Sequence, residues 1–375
     1  MQKVFYTTGD YSRLDDYFKG TGKRKLLLVC ESSISFLALD EYFNSLQARL
    51  GIETVRFMDF EPNPKYECVV KGVKAYKENG CDMIAAVGGG SAIDVAKCIK
   101  LYEDLDESKS YLEQEPKAND IILFAAPTTA GTGSEATRYA VIYANGEKQS
   151  ITHESIIPSA VLFDPRVLKT LPLYQKKATM MDALCHAVES FWSVNSTEES
   201  KGYSTEAIRL ILENMESYLA GDESTFDKLM QASNIAGKAI NITQTTAGHA
   251  MCYKLTSLYG ISHGHAAALC VKALFPYMAK SISSCIDPRG EEYLRKTFEE
   301  LAAALGCDDA LQASEKFVRL VDSLDFAPLT PKEGDIDILK TSVNPVRLKN
   351  NPIGLDVGTI EKLYIQVTGG KTVNR

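Results

Sequence analysis

Three observations predict an α/β fold in two domains. Short apolar runs recur through residues 1–172, amphipathic stretches separate them, and from 173 onward the periodicity becomes almost entirely helical. The runs LLLVC (26–30), TVRFMDF (54–60), MIAAVG (83–88), IILFAAP (121–127) and AVLFDP (160–165) read as strands. Several are apolar without alternation, the pattern of a parallel sheet covered on both faces. Between them LALDEYFNSLQARLG (37–51) and VVKGVKAYKENG (69–80) read as helices, the second closed by Asn79-Gly80. AVIYANGEKQSI (140–151) carries Asn145-Gly146 between alternating arms and reads as a β-hairpin. Beyond Leu171-Pro172, residues 174–320 are helical in period, with breaks at Gly221-Asp222, Gly260 and 287–290. An α/β domain over 1–172 and a helical domain over 173–375 are expected, with ligands in a cleft between them.

Composition excludes several classes of function. The net charge of −8 argues against a general nucleic-acid or anionic-membrane binder. No apolar run approaches the ~18–20 residues of a membrane span, and the charged N-terminus does not read as a signal peptide. The nine cysteines form no CxxC pair, which fits reduced thiols in a cytoplasmic protein; Cys30, Cys98 and Cys270 sit in apolar surroundings and read as packing residues. A small-molecule substrate is expected, with neither nucleic acid nor membrane as partner, and a homodimer or larger homo-oligomer as the assembly.

GGGSAIDVAK (88–97) follows the strand MIAAVG and opens a helix. Glycines admit close backbone approach, and a helix N-terminus offers N–H donors and a favourable dipole to a pyrophosphate. The spacing is not GxGxxG, and a tight strand–helix turn is the competing reading. PTTAGTGSEAT (127–137) follows the next strand and is rich in hydroxyls suited to ribose and phosphate. The candidate cofactor residues are Gly88, Gly89, Gly90, Ser91 and Asp94 in the first motif, and Thr128, Thr129, Thr132 and Ser134 in the second. Lys148 in the hairpin and Glu31 after LLLVC complete the set. A carboxylate at Glu31 would accept from a ribose hydroxyl and repel a 2′-phosphate, favouring NAD(H) over NADP(H).

The stretch GHAMCYKLTSLYGISHGH (248–265) holds three of the chain's five histidines. On one straight helix, His249 and His263 would stand about 21 Å apart, too far to share an ion. Either they are unrelated or the chain turns back at Tyr259–Ser262, where Gly260 permits it. MMDALCHAVES (180–190) sets Asp182 and His186 at i and i+4, on one helix face. Together with His249 and His263 they offer one carboxylate and three imidazoles, a set suited to a divalent transition metal with an open position. Glu189, one turn on, reads as a supporting or surface carboxylate, and His265 as a residue that caps or lines the site.

In order and spacing, GGGSAIDVAK, PTTAGTGSEAT, DALCHAVES and GHAM…SHGH resemble the iron-dependent (group III) alcohol dehydrogenases, and the resemblance covers essentially the whole chain. It implies a Rossmann-like domain followed by a helical one, the dehydroquinate synthase-like fold. It also implies an NAD(P)-linked alcohol dehydrogenase or aldehyde reductase, with Fe²⁺ (Zn²⁺ in the same donors stays open) on Asp182, His186, His249 and His263. Many members carry a further histidine where this chain has Tyr253, so a proton relay through that histidine is in doubt here. Tyr253 is the candidate to hydrogen-bond substrate or to relay a proton through water.

Within the family, AGHAMCYKLTSLYGISHGHA, TGSEATRYAVIY and SVNPVRLKNNP look most like the members that reduce phosphonoacetaldehyde to 2-hydroxyethylphosphonate. Such a dianion needs cationic partners, and Arg138, Lys254 and Arg347 lie in or beside the motifs. Arg138 and Lys254 join Tyr253 as candidate catalytic residues. Reduction of neutral aldehydes such as butanal or 3-hydroxypropanal is the nearest alternative. Sugar-phosphate cyclase chemistry on the same fold is a remote one, because it calls for a different ligand set.

Overall fold

The computed structural model describes residues 2–343 and 345–369, in two compact units that divide after Leu171. The strands of the first unit are β1 Lys3–Tyr6, β2 Lys25–Cys30, β3 Glu53–Phe57, β4 Met83–Gly88, β5 Ile122–Pro127, β6 Tyr139–Ala144, β7 Glu147–Thr152 and β8 Ala160–Phe163. Six of them form a parallel sheet in the order β1-β8-β5-β4-β2-β3, while β6 and β7 form the antiparallel hairpin. Every residue of β4 is buried, and every residue of β2 after Lys25, which is why their sequences are apolar without alternation. Asn145 and Gly146 turn the hairpin with φ of 53° and 77°, the left-handed pair that a two-residue loop requires.

Two elements differ from the sequence reading. KVFY, not read as a strand, is the edge strand β1 and pairs with β8 far along the chain. The expected helix over 37–51 is divided at Ser45 into Ala38–Asn44 and Leu46–Leu50.

The sheet order carries the functional consequence. From β2 the chain moves out to the edge strand β3, then returns to place β4 on the other side of β2. Connections therefore leave β2 and β4 in opposite directions, and a crevice opens at their carboxyl ends, where open α/β sheets take their ligands.

Among its described residues the second unit has helices and one isolated bridge, between Cys285 and Ile353. Its core is built on Leu173–Trp192, which packs against Glu198–Leu219, Phe226–Thr243 and His263–Lys280. Ala247–Tyr259 packs on His263–Lys280. Gly221, Gly260 and Gly290 all take left-handed φ (90°, 66° and 94°) at the breaks the sequence marked. Among the described residues no helix is long and apolar enough to cross a membrane.

Candidate metal centre and dinucleotide loops

Three helices of the second unit deliver the histidine cluster. Leu173–Trp192 carries Asp182, His186 and Glu189; Ala247–Tyr259 starts just before His249; His263–Lys280 starts on His263 itself. Gly260 reverses the chain between the two histidines, and their rings stand 5.3 Å apart, centroid to centroid. One ligand atom from each of Asp182, His249 and His263 falls within 4.8 Å of the other two. His186 lies outside that group of donors but stacks on the His249 ring at 4.5 Å. Asp182, His186 and His249 are buried, whereas the His263 side chain is 36 % exposed, which leaves one open side.

The close approach depends on a residue with no side chain. A Cβ on Gly264 would lie 1.9 Å from the Ala178 carbonyl oxygen and 2.8 Å from Asp182 Cβ, so only glycine lets His263 reach Asp182. Gly248 plays the same part for Glu189, whose Oε1 would lie 3.0 Å from a Cβ there.

Glu189, read from sequence as a supporting or surface carboxylate, is fully buried. It accepts hydrogen bonds from Thr246 N–H (3.1 Å), Thr246 Oγ1 (2.7 Å) and His249 N–H (3.2 Å), and from His249 Nδ1. Trp192 Nε1 donates in turn to Thr246 Oγ1 at 2.9 Å. The carboxylate thus caps the helix that carries His249 and holds that imidazole's Nδ1–H. His249 Nε2 is turned to Asp182 Oδ1 at 3.4 Å, and His263 Nε2 lies 3.7 Å from the same oxygen. Acceptor atoms gathered this way require a proton or a cation among them. Burial pulls His249 down, but Glu189 and Asp182 outweigh it and its pKa is raised to about 9. Burial likewise pushes Asp182 up, and His186, His263 and His249 reverse it, holding the carboxyl far below its ordinary range. One carboxylate and clustered imidazoles, with a carboxylate fixing one imidazole from behind, fit a divalent transition ion.

Tyr253 stacks on His263 (5.7 Å, 5° between planes), and Arg347 Nη1 donates to its hydroxyl at 3.2 Å. Burial raises the Tyr253 pKa further than Arg347 lowers it. Lys254 is half-buried, about 100° further round the helix. His265 does not join the cluster: it stacks on Phe326 at 4.1 Å and pairs through Nδ1 with the Tyr174 hydroxyl at 3.1 Å. Burial lowers its pKa to about 4.

In the first unit the two predicted loops leave the ends of β4 and β5 and clasp each other. Thr128 N–H donates to the Gly88 carbonyl at 3.0 Å. A Cβ on Gly90 would come 2.9 Å from Thr132 Cγ2, and one on Gly89 3.5 Å from Thr129 Cγ2. Gly89 precedes the helix Gly90–Tyr102, whose N-terminus, with half-buried Ser91, faces the loop. Glu31 follows β2, its carboxyl carbon 3.9 Å from a Cβ built on Gly88; burial raises its pKa. These residues border the crevice between β2 and β4.

Asp94 and Ser134 are engaged with each other, Ser134 Oγ donating to Asp94 Oδ1 at 2.6 Å, while Val141 N–H donates to Asp94 Oδ2 at 3.0 Å. Burial raises the Asp94 pKa, against the opposing pull of Lys97, of these two hydrogen bonds and of Lys148, which is half-buried on β7. The residue missed from sequence is Lys97, fully buried under the loop. Its ammonium donates to the carbonyls of Ser134 (2.6 Å), Thr137 (2.7 Å) and Tyr139 (2.7 Å). Burial lowers its pKa to about 8 against the pull of Asp94. Arg138, assigned from sequence to a substrate anion, pairs with Glu154 at 2.6 Å and lies over the Tyr139 ring.

The family model for iron-containing alcohol dehydrogenases matches residues 2–165, and the model for the C-terminal region of the same family matches 176–366. The chain belongs to the iron-containing alcohol dehydrogenase family. A phosphonoacetaldehyde reductase of Streptomyces viridochromogenes is 32 % identical over 75 % of this chain and 75 % of its own. Among solved structures, a sulfoacetaldehyde reductase from Bifidobacterium kashiwanohense in complex with NAD⁺ superposes with a TM-score of 0.85 at 25 % identity, covering 99 % of this chain and 98 % of that one. A 1,3-propanediol oxidoreductase superposes with a TM-score of 0.86 at 27 % identity, covering 97 % of each. The chain is accordingly an enzyme of the iron-type alcohol dehydrogenase and aldehyde reductase class.

Proposed function

We propose that this enzyme reduces an aldehyde bearing a phosphonate to the primary alcohol: phosphonoacetaldehyde, NADH and a proton give 2-hydroxyethylphosphonate and NAD⁺. The observation that carries the chemistry is the donor cluster of Asp182, His249 and His263. These three would hold a divalent ion, Fe²⁺ or Zn²⁺, with His186, stacked on the His249 ring, as the fourth donor. An ion held there would supply Lewis acidity toward a carbonyl oxygen, and a nicotinamide would supply the hydride. Glu189 keeps His249 in the ligating tautomer, and the half-exposed side at His263 admits the substrate. The Tyr253 hydroxyl hydrogen-bonds the substrate or passes it a proton through water.

Gly88, Gly89, Gly90 and Ser91, with Thr128, Thr129 and Thr132, would take the dinucleotide phosphates and ribose. Glu31 would accept from the adenosine ribose, so NADH is the favoured cofactor. Asp94 and Ser134 hold the hydroxyl-rich loop in place through their mutual hydrogen bond, with the charge of Lys148 acting on Asp94. The substrate assignment is supported by the likeness to phosphonoacetaldehyde reductase, and the sulfoacetaldehyde reductase also acts on an anion-bearing two-carbon aldehyde.

The test is NADH oxidation with phosphonoacetaldehyde and with butanal, before and after chelation. Chelator-sensitive turnover that favours the phosphonate is expected. Equal efficiency on butanal would return the assignment to neutral aldehydes.

A further inference from the structure

Arg347 stands apart from the other half-buried arginines. Arg138, Arg166 and Arg289 each hold a carboxylate at 2.6 Å, from Glu154, Asp164 and Asp287. Among the described residues no carboxylate lies within ion-pair distance of Arg347. Its guanidinium carbon lies 5.3 Å over the Tyr253 ring, and one N–H is given to the Tyr253 hydroxyl. Tyr253 is in turn stacked on His263, so the cation sits two ring spacings from the donor cluster.

The segment that carries Arg347 is tied down nearby. Asn350 Nδ2 donates to Gln244 Oε1 (3.0 Å) and to the Thr245 carbonyl (3.2 Å), in the loop that leads into the helix of His249 and Tyr253. Val194 N–H donates to the Asn350 carbonyl at 3.0 Å. A guanidinium so held, half-desolvated and lacking a carboxylate, is suited to a forked contact with a tetrahedral oxyanion.

We infer that Arg347, positioned by Tyr253, is the specificity residue that receives the anionic end of the substrate while its carbonyl is held at Asp182, His249 and His263. This deepens the proposed function and rests on it. It also moves the anion-binding role from Arg138, which Glu154 already occupies, to the second unit. The ligand chemistry is a short aldehyde with a terminal phosphonate or sulfonate.

The metal-loaded enzyme and its Arg347→Ala and Arg347→Gln variants should be compared on phosphonoacetaldehyde, sulfoacetaldehyde and propanal. Calorimetry with 2-hydroxyethylphosphonate reads the subsite without turnover, and Arg347→Gln keeps a donor for Tyr253 if the alanine variant folds poorly. Loss of one charge-assisted contact should lower the anionic-to-neutral ratio of kcat/KM by about ten- to a hundredfold, chiefly through KM, and weaken the alcohol's binding comparably. A wild-type preference for phosphonate that survives both substitutions would overturn Arg347 and leave the proposed function standing. A wild-type preference for sulfonate that Arg347→Gln abolishes would overturn the phosphonate assignment and leave Arg347 standing. No preference for either anion in the wild type would end both.

Discussion

The glycine- and hydroxyl-rich loops of the first unit and the histidine cluster of the second are both polar constructions, but they are held in different ways. In the first, a cation inside the protein consumes the backbone polarity: Lys97 takes three carbonyls of the segment 134–139, and Asp94 takes Ser134. That loop carries its counter-charge within it and is shaped before any ligand arrives. In the second, acidic and imidazole groups from separate helices converge around Asp182 Oδ1 and need something positive among them. One region is completed by its own side chain, whereas the other has the donor set that a bound cation would complete. Preorganisation would suit the proposed cofactor loop, because a cofactor that enters and leaves each cycle should not have to order it; an ion held in the proposed metal site would repay the cost of gathering its ligands.

Substituting the internal cation breaks the first arrangement. Lys97→Met should destabilise the protein by roughly 3–5 kcal/mol, the range for a buried charge partner removed from its network, and raise KM for NADH. Urea unfolding with parallel kinetics checks both. An unchanged midpoint and KM would mean the loop does not depend on Lys97.

A smaller effect sharpens the contrast from the other side. Glu189→Gln keeps an oxygen for the Thr246 and His249 N–H groups but sets an amide against His249 Nδ1. The helix should remain while metal affinity falls by about ten- to a hundredfold, as for other groups that orient a ligating histidine. Competition against a chelator measures it, with far-UV circular dichroism as the control for folding.

The smallest effect is expected at the edge of the crevice. Glu31→Gly should narrow the preference for NADH over NADPH by up to about tenfold, one lost charge-assisted contact at a half-exposed site. Equal kcat/KM for the two cofactors in the wild type would remove Glu31 from the cofactor site.

What could be read before the structure follows the same division. Buried parallel strands announce themselves because every residue must be apolar, so β2, β4, β5 and β8 are visible in the sequence. β1 is four residues long, on an edge, and half-exposed; its only reason to be a strand is β8, more than 150 residues away. The histidines and Asp182 were legible as chemistry, and Gly260 as the turn that unites two of them. The Gly264 contact with Ala178, the burial of Glu189 and the three carbonyls on Lys97 were not, because each is a tertiary approach that local spacing does not encode. Lys97 ends the GGGSAIDVAK motif, and nothing in its local spacing marks it for burial. Arg138 drew attention by its place next to a motif, whereas Glu154, sixteen residues on, is what determines its availability.

The central claim is that Asp182, His249 and His263 form one metal site. Elemental analysis of anaerobically reconstituted wild type, Asp182→Ala and His263→Ala tests it most directly, with circular dichroism showing that all three are folded. The account predicts about one equivalent of a divalent transition metal per chain in the wild type and little in either variant, with NADH-dependent aldehyde reduction lost alongside. Full metal occupancy in both folded variants, or turnover by a metal-free wild type, would contradict it.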